Sequence, residues 1–318
     1  MDFIQQAFKI KHEFWRYLIG SVIVIIGAVV GQIPFTVAAI LKAVEKGGSV
    51  FSMTEQELMT SLEPNLNLFL MLLSFVFALV TLFLVVKYLH KQTIIGLTTA
   101  RKKIDWKRIW FAFIFWGIIS SGMVLLDYYL TPESYVWNFE LKRFLILALI
   151  AILLLPIQTS TEEYIFRGYL MQGFGTLAKN RWFPLLMTSL IFGGMHFFNP
   201  EVDKLGTLVM VYYIGTGLFL GIITLMDEGI ELALGFHAAN NLFGALLVSA
   251  DWTVLQTHSV FKDISEPGVG FNDIVLPVFV IFPIIIFIFA KVYKWTNWKE
   301  KLFGKVVAPQ KENYKVID

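Results

Sequence analysis

The 318-residue sequence contains no cysteine, which excludes a disulfide, a thiolate nucleophile and a sulfur-ligated metal together. Charge is also scarce. Asp, Glu, Lys and Arg make up 16% of the chain and the formal net charge is +2. That balance is too small for a nucleic-acid partner, and the basic residues fall near the ends of apolar segments rather than in one patch. The sequence has no internal repeat, low-complexity tract or separate soluble region. What it does have is apolar: 57% hydrophobic residues with 30 Phe, and a mean hydropathy of +0.68. This lies far above the apolar share usual in soluble domains.

A helix needs about 20 apolar residues to cross the hydrocarbon core of a bilayer. Runs of this kind occur near 17–41, 67–88, 109–129, 144–166, 183–199, 206–227, 230–250 and 274–294. The expected fold is therefore an all-α polytopic membrane protein, a bundle of about eight transmembrane helices. A barrel is excluded by the lack of strand alternation. The first run follows Lys9, Lys11 and Arg16 in the manner of a signal peptide. It is too long for an h-region, though, and reads as a retained anchor despite the small pair Ala38-Ala39.

Topology follows from the basic residues. With both termini cytoplasmic, the inner segments hold 20 of the 26 Lys and Arg and the outer loops hold six, as the positive-inside rule requires. Trp15, Trp110, Trp182, Trp295 and Trp298 lie near span ends, where interfacial anchors belong. Trp116 does not. The stretch from Lys91 to Arg108 reads either as an amphipathic piece on the inner leaflet or as a solvated basic loop. The tail after Lys294 reads as a short flexible end touching anionic lipid. The localisation implied is integral to the cell membrane and multi-pass, with lipid as a partner.

An ionisable residue inside a span costs roughly 2.5–3.5 kcal/mol at its centre and so marks a functional hypothesis. Three places qualify. In the fourth run, Pro156 is expected to bend or restart the helix, and Ser160 with Glu163 has capping-box spacing. Neighbouring helical residues point about 100° apart, so Glu162 and Glu163 cannot share one role. Glu163 can pair with Arg167 at i+4, which leaves Glu162 free to face a cavity. A polar helix end with an ordinary ion pair would look the same.

The fifth run carries Phe192-Gly193-Gly194-Met195-His196, in which a hydrogen-bonded interfacial histidine is the plainer reading. The seventh carries His237-Ala238-Ala239-Asn240-Asn241, with His237 and Asn241 on one face; polar glue between helices explains that pair equally well. Taken together, the three places supply what peptide hydrolysis by water requires. A Glu and a His can hold and deprotonate the water. A second His with an Asn can stabilise the oxyanion.

The ordered set Glu162-Glu163-x-x-x-Arg167, Phe192-x-x-x-His196 and His237-x-x-x-Asn241 closely resembles the signature of the CPBP family, the CAAX proteases and bacteriocin-processing enzymes also called the Abi family. The resemblance covers roughly residues 144–250. It implies Glu162 as general base with His196 as its partner, His237 and Asn241 as an oxyanion hole, and Glu163 with Arg167 in support. It also implies a division into an N-terminal membrane region over 1–143 with about three helices, a catalytic core over 144–250, and a last helix with a basic cytoplasmic tail over 251–318. The substrate implied is a membrane-associated protein or peptide, either prenylated or leader-bearing.

The family is commonly labelled metalloprotease, and Glu162, His196 and His237 match a catalytic zinc ligand set. The His-Glu-x-x-His sequence of zincins is absent, and direct activation of water by Glu and His needs no ion. The reading favoured is one without a cofactor, with zinc as the alternative. Intramembrane Glu, His and Asn also line transporter and channel pathways, and a non-catalytic immunity or binding protein could keep them for packing. No inverted repeat supports a transporter, and Gly217-x-x-x-Gly221 suits helix packing in any of these. One conflict stands within the expected spans. Glu162 falls near the inner side and His196 in the outer half, whereas a shared water needs both at one depth.

Overall fold

Backbone groups in lipid must be satisfied within the segment that crosses it, and the apolar runs accordingly form helices. The computed structural model describes residues 1–45, 57, 61–268 and 271–310. Its main helices are α1 (Phe14–Glu45), α2 (Pro64–Leu84), α3 (Trp106–Leu130), α4 (Leu141–Glu163), α5 (Met171–Ala178), α6 (Trp182–Met195), α7 (Val209–Asp227), α8 (Glu231–Leu247) and α9 (Phe282–Tyr293). The fold is the all-α polytopic one expected. Among the described residues six helical segments are long and apolar enough to cross a membrane: Phe14–Glu45, Pro64–Leu89, Trp106–Leu130, Leu141–Ala178, Val209–Asp227 and Ile274–Tyr293. The runs expected near 183–199 and 230–250 become the shorter α6 and α8, of 14 and 17 residues.

Several local expectations are corrected. The fourth run does not end near 166. α4 passes through a π-helical segment, Tyr164–Leu170, directly into α5. Pro156 neither stops nor restarts it, since helices in a bundle can re-satisfy the groups a proline frees. Ser160 and Glu163 form no capping box because both lie inside the helix. The stretch from Lys91 to Arg108 is no free loop, and its helical part is short, with Ile94 and Ile95 exposed and Leu97 buried. It makes one short helix, Ile94–Thr98, and Arg101 then pairs with Asp227 and Glu231 while Arg108 pairs with Asp227.

The tail is docked through residue 307. Val306 is buried, its N–H donates to the Lys179 carbonyl, and Lys301 Nζ donates to the Met226 carbonyl over 2.8 Å. Residues 311–318 of that tail lie outside the described residues.

These contacts gather the chain's N-terminus at the same end of the bundle. Phe3 N–H donates to Glu228 Oε2 at 2.7 Å, Arg181 pairs with Asp2, and Gln5 Nε2 donates to the Val307 carbonyl. The opposite end carries an element the sequence did not announce, a three-stranded sheet in the order β1 (Tyr135–Trp137), β3 (Phe261–Asp263), β2 (Val248–Ala250). β1 pairs antiparallel with β3, Trp137 opposite Phe261, and β2 pairs parallel with it, Val248 opposite the same residue.

Between the two ends, small residues bring the site-bearing helices close. A Cβ on Gly217 would stand 2.9 Å from Ser189 Cα, so α7 meets α6 backbone to backbone. A Cβ on Gly221 would press on Leu185 of the same helix, so the expected packing motif joins these two. At Gly235 a Cβ would overlap the Ile109 carbonyl oxygen, which fixes the approach of α8 to α3.

Candidate functional site

At the end of α4, just before the π-helical segment, the helical offset of neighbouring residues sends the two glutamates to different partners. Glu163 is fully buried and meets Arg167 Nη1 at 3.1 Å. Arg167, also fully buried, donates from Nη2 to the Gly217 carbonyl at 3.3 Å and lies 4.3 Å from the centre of the Phe192 ring. π-helical turns recur at functional sites because the extra residue re-aims side chains. Glu162 points elsewhere. Its Oε1 accepts from Gln158 Nε2 at 2.8 Å, and its Oε2 lies 3.5 Å from His237 Nε2.

His237 sits between the glutamates. Its Nδ1 is 2.8 Å from Glu163 Oε1. That carboxylate oxygen also takes the Arg167 bond and can only accept, so Nδ1 carries the hydrogen and Nε2 is turned towards Glu162. His196 occupies the C-terminal end of α6. There its Nδ1 donates to the Phe192 carbonyl at 2.8 Å, which leaves Nε2 as the free lone pair of the neutral ring. The ring stacks on Tyr213 of α7, with centres 4.4 Å apart and planes 22° apart.

On α8, one turn past His237, Asn241 Nδ2 donates to Gln158 Oε1 at 2.9 Å, and Asn240 Nδ2 donates to Asn241 Oδ1 at 3.2 Å. Asn240 Oδ1 in turn accepts from Trp116 Nε1 of α3 at 3.1 Å.

Glu162, His196, His237 and Asn241 all line one cavity of about 100 Å³, together with Gln158 and Tyr213. The conflict of depth is therefore removed. α4 and α5 form one continuous helical run, so Glu162 stands 16 residues, about 24 Å, from its end at Ala178. His196 stands 14 residues, about 21 Å, from Trp182 at the same end of the bundle. Among the described residues no three His, Cys, Asp or Glu side chains are grouped to hold a metal ion, and Glu162, His196 and His237 do not converge as ligands to one centre.

Sequence reasoning passed over Gln158, Tyr213, Asn240 and Trp116. Two signals for them were present. Gln158 is a polar residue one turn before Glu162 in an apolar helix, and Trp116 is a tryptophan away from any span end.

Comparison with known proteins covers the same region. The family model described as Rce1-like, type II CAAX prenyl endopeptidase Rce1-like, matches residues 141–243, a stretch that includes each motif of the cavity. An uncharacterized protein of Bacillus subtilis (strain 168), YyaK, is 32% identical over 240 residues, 75% of this chain and 79% of its own length. No solved structure matches. A cavity bearing the glutamate, histidine and asparagine motifs in a multi-pass helical membrane fold thus agrees with the family match, and the chain belongs to the Rce1-like type II CAAX prenyl endopeptidase family of intramembrane proteases.

Proposed function

We propose that this chain is an intramembrane endopeptidase that cleaves a peptide bond in a membrane-associated protein or peptide, prenylated or leader-bearing, with a water activated by Glu162 and His196. The observation that carries this reading is the single cavity shared by Glu162, His196, His237 and Asn241. Glu162 and His196 both face it without a direct hydrogen bond to each other among the described residues. A water between them is held by the carboxylate and by the free Nε2 lone pair that the Phe192 carbonyl leaves on His196.

Glu162 takes one proton from this water as its oxygen bonds to the scissile carbonyl carbon. The carbonyl oxygen becomes an oxyanion, which accepts from the second hydrogen of Asn241 Nδ2, with His237 Nε2 lining the same hole and donating there when it too bears a hydrogen. The tetrahedral centre collapses with cleavage of the C–N bond, and Glu162 passes the proton to the leaving amine. Glu163, braced by Arg167, takes the His237 Nδ1 hydrogen and so keeps Nε2 turned towards the cavity. No ion is needed for these steps; zinc is the competing assignment, which chelation tests.

The placement favoured is the cell membrane with both termini cytoplasmic, since 20 of the 26 basic residues then lie inside.

The test is cleavage of a prenylated peptide and of a leader peptide by purified enzyme in liposomes. Glu162→Gln and His196→Ala should each lower kcat by roughly 10² or more, in line with the loss of general-base catalysis. Chelation should leave wild-type cleavage intact. Full activity in either variant overturns the assignment. Loss on chelation with recovery on zinc overturns the metal-free route.

A further inference from the structure

The geometry points to Trp116 and Asn240 as positioning residues that hold the Asn241 amide with its nitrogen towards the cavity, an inference that rests on the proteolytic reading above. Trp116 is the one buried aromatic residue of α3: it is 7% exposed, in contrast to Trp110 on the same helix at 57%. Its indole N–H can only donate. It donates to Asn240 Oδ1 at 3.1 Å, which turns the Asn240 nitrogen towards Asn241 Oδ1 at 3.2 Å. Asn241 Nδ2 then faces Gln158 Oε1 at 2.9 Å, and Gln158 Nε2 faces Glu162 Oε1 at 2.8 Å.

The chain of four hydrogen bonds therefore runs in one direction across three helices, from a group that can only donate to a carboxylate that can only accept. Turning over any one of the three amides would set like atoms against each other at both of its bonds. The site is part-buried, so each mismatch costs up to about 1–3 kcal/mol, the figure for a fully buried unpaired group. The consequence concerns the oxyanion. An Asn241 amide turned over would present a carbonyl oxygen where the reaction needs an N–H. With Oδ1 occupied by Asn240 and one Nδ2 hydrogen given to Gln158, the second Nδ2 hydrogen remains for the substrate. Trp116 reaches no reacting atom and acts entirely through this orientation. It lies outside the 141–243 stretch of the family match and in the one place where an interfacial role for a tryptophan fails.

The test is a double-mutant cycle read in kcat and KM on the cleaved peptide, with thermal unfolding of each variant as a check on folding. Trp116→Phe keeps a six-membered ring against Phe236, 4.5 Å away in the wild type, and removes the pyrrole ring with its N–H, so the thermal check separates lost packing from the lost hydrogen bond. It should lower kcat about tenfold with KM within about twofold. Asn240→Asp, which cannot donate to Asn241 as a carboxylate, should lower kcat further. In an Asn241→Ala background, Trp116→Phe should change kcat by less than about twofold, because no amide remains to orient. An unchanged kcat in Trp116→Phe, an equal loss in both backgrounds, or an effect confined to KM overturns the inference. If Glu162→Gln still cleaves, the proteolytic reading fails first. If Glu162→Gln is inactive and Trp116→Phe is not impaired, only the inference about Trp116 fails.

Discussion

His237 gives its Nδ1 hydrogen to Glu163 Oε1 over 2.8 Å, and that same oxygen receives Arg167 Nη1 at 3.1 Å. One fully buried carboxylate thus serves an imidazole N–H and a guanidinium, and the guanidinium that balances it is fully buried as well. Buried ion pairs contribute little net stability, because desolvation offsets attraction, but removing one partner strands the other. The pair is better understood as a clamp on the imidazole, which dictates which ring nitrogen faces the cavity.

The clamp predicts a specific pattern of stabilities. Glu163→Ala leaves Arg167 as an unpaired buried charge and should cost about 3–5 kcal/mol, read as a lower unfolding temperature in detergent. Glu163→Ala combined with Arg167→Met should recover a large part of that loss, since the stranded charge is gone. Cleavage should stay low in both, because His237 has lost its tautomer partner. A double variant less stable than Glu163→Ala alone would contradict the clamp.

Backbone approach makes a second prediction. α8 carries His237, Asn240 and Asn241 and touches α3 at Gly235, where any Cβ overlaps the Ile109 carbonyl. Gly235→Ala must push the two helices apart, stretching the 3.1 Å bond from Trp116 to Asn240 as it does so. Overpacking of this kind typically costs about 1–3 kcal/mol. Gly122 of α3 and Gly244 of α8 have open space beside them, and alanine there should be tolerated. Unfolding temperatures of the three alanine variants check this ordering. Equal effects at all three positions would mean that close approach at Gly235 does not matter.

Much of this was legible in the sequence, for reasons that differ by feature. Hydropathy identifies helices wherever side chains face lipid, so the runs of α1, α2 and α3 were visible from composition. It fails where a helix continues among protein atoms. Arg167 is polar but fully buried, so the window appeared to end near 166 while the helix continued to Ala178. That error produced the apparent mismatch in depth between Glu162 and His196. The strands around Phe261 are three residues each, too short to carry a period. The link from Gln158 to Asn241 spans 83 positions and depends on how helices pack, which no local pattern reports. The ion pairs of Arg101 and Arg108 with Asp227 are hidden for the same reason: a basic loop looks alike whether it meets water or a buried carboxylate.

A last prediction concerns acid sensitivity at the end of the bundle that holds the N-terminus. His90, just beyond the Pro64–Leu89 span, is fully buried. Its Nδ1 donates to the Lys11 carbonyl at 2.8 Å, and its Nε2 lies 2.9 Å from the Tyr169 hydroxyl. Burial pushes its pKa down to about 4, against the partial opposition of the Lys11 bond and with help from the Arg16 charge. In the unfolded chain the same ring takes up a proton near pH 6.5. The unfolded state therefore binds more protons between these values, so stability is full above about pH 6.5 and declines as pH falls towards 4, by at most about 3 kcal/mol. His90→Gln can keep both hydrogen bonds, its Nε2 to Lys11 and its Oε1 to Tyr169, without titrating. The unfolding temperature of the wild type should fall between pH 7 and pH 4.5 more steeply than that of His90→Gln. Parallel curves would show that the acid sensitivity arises elsewhere.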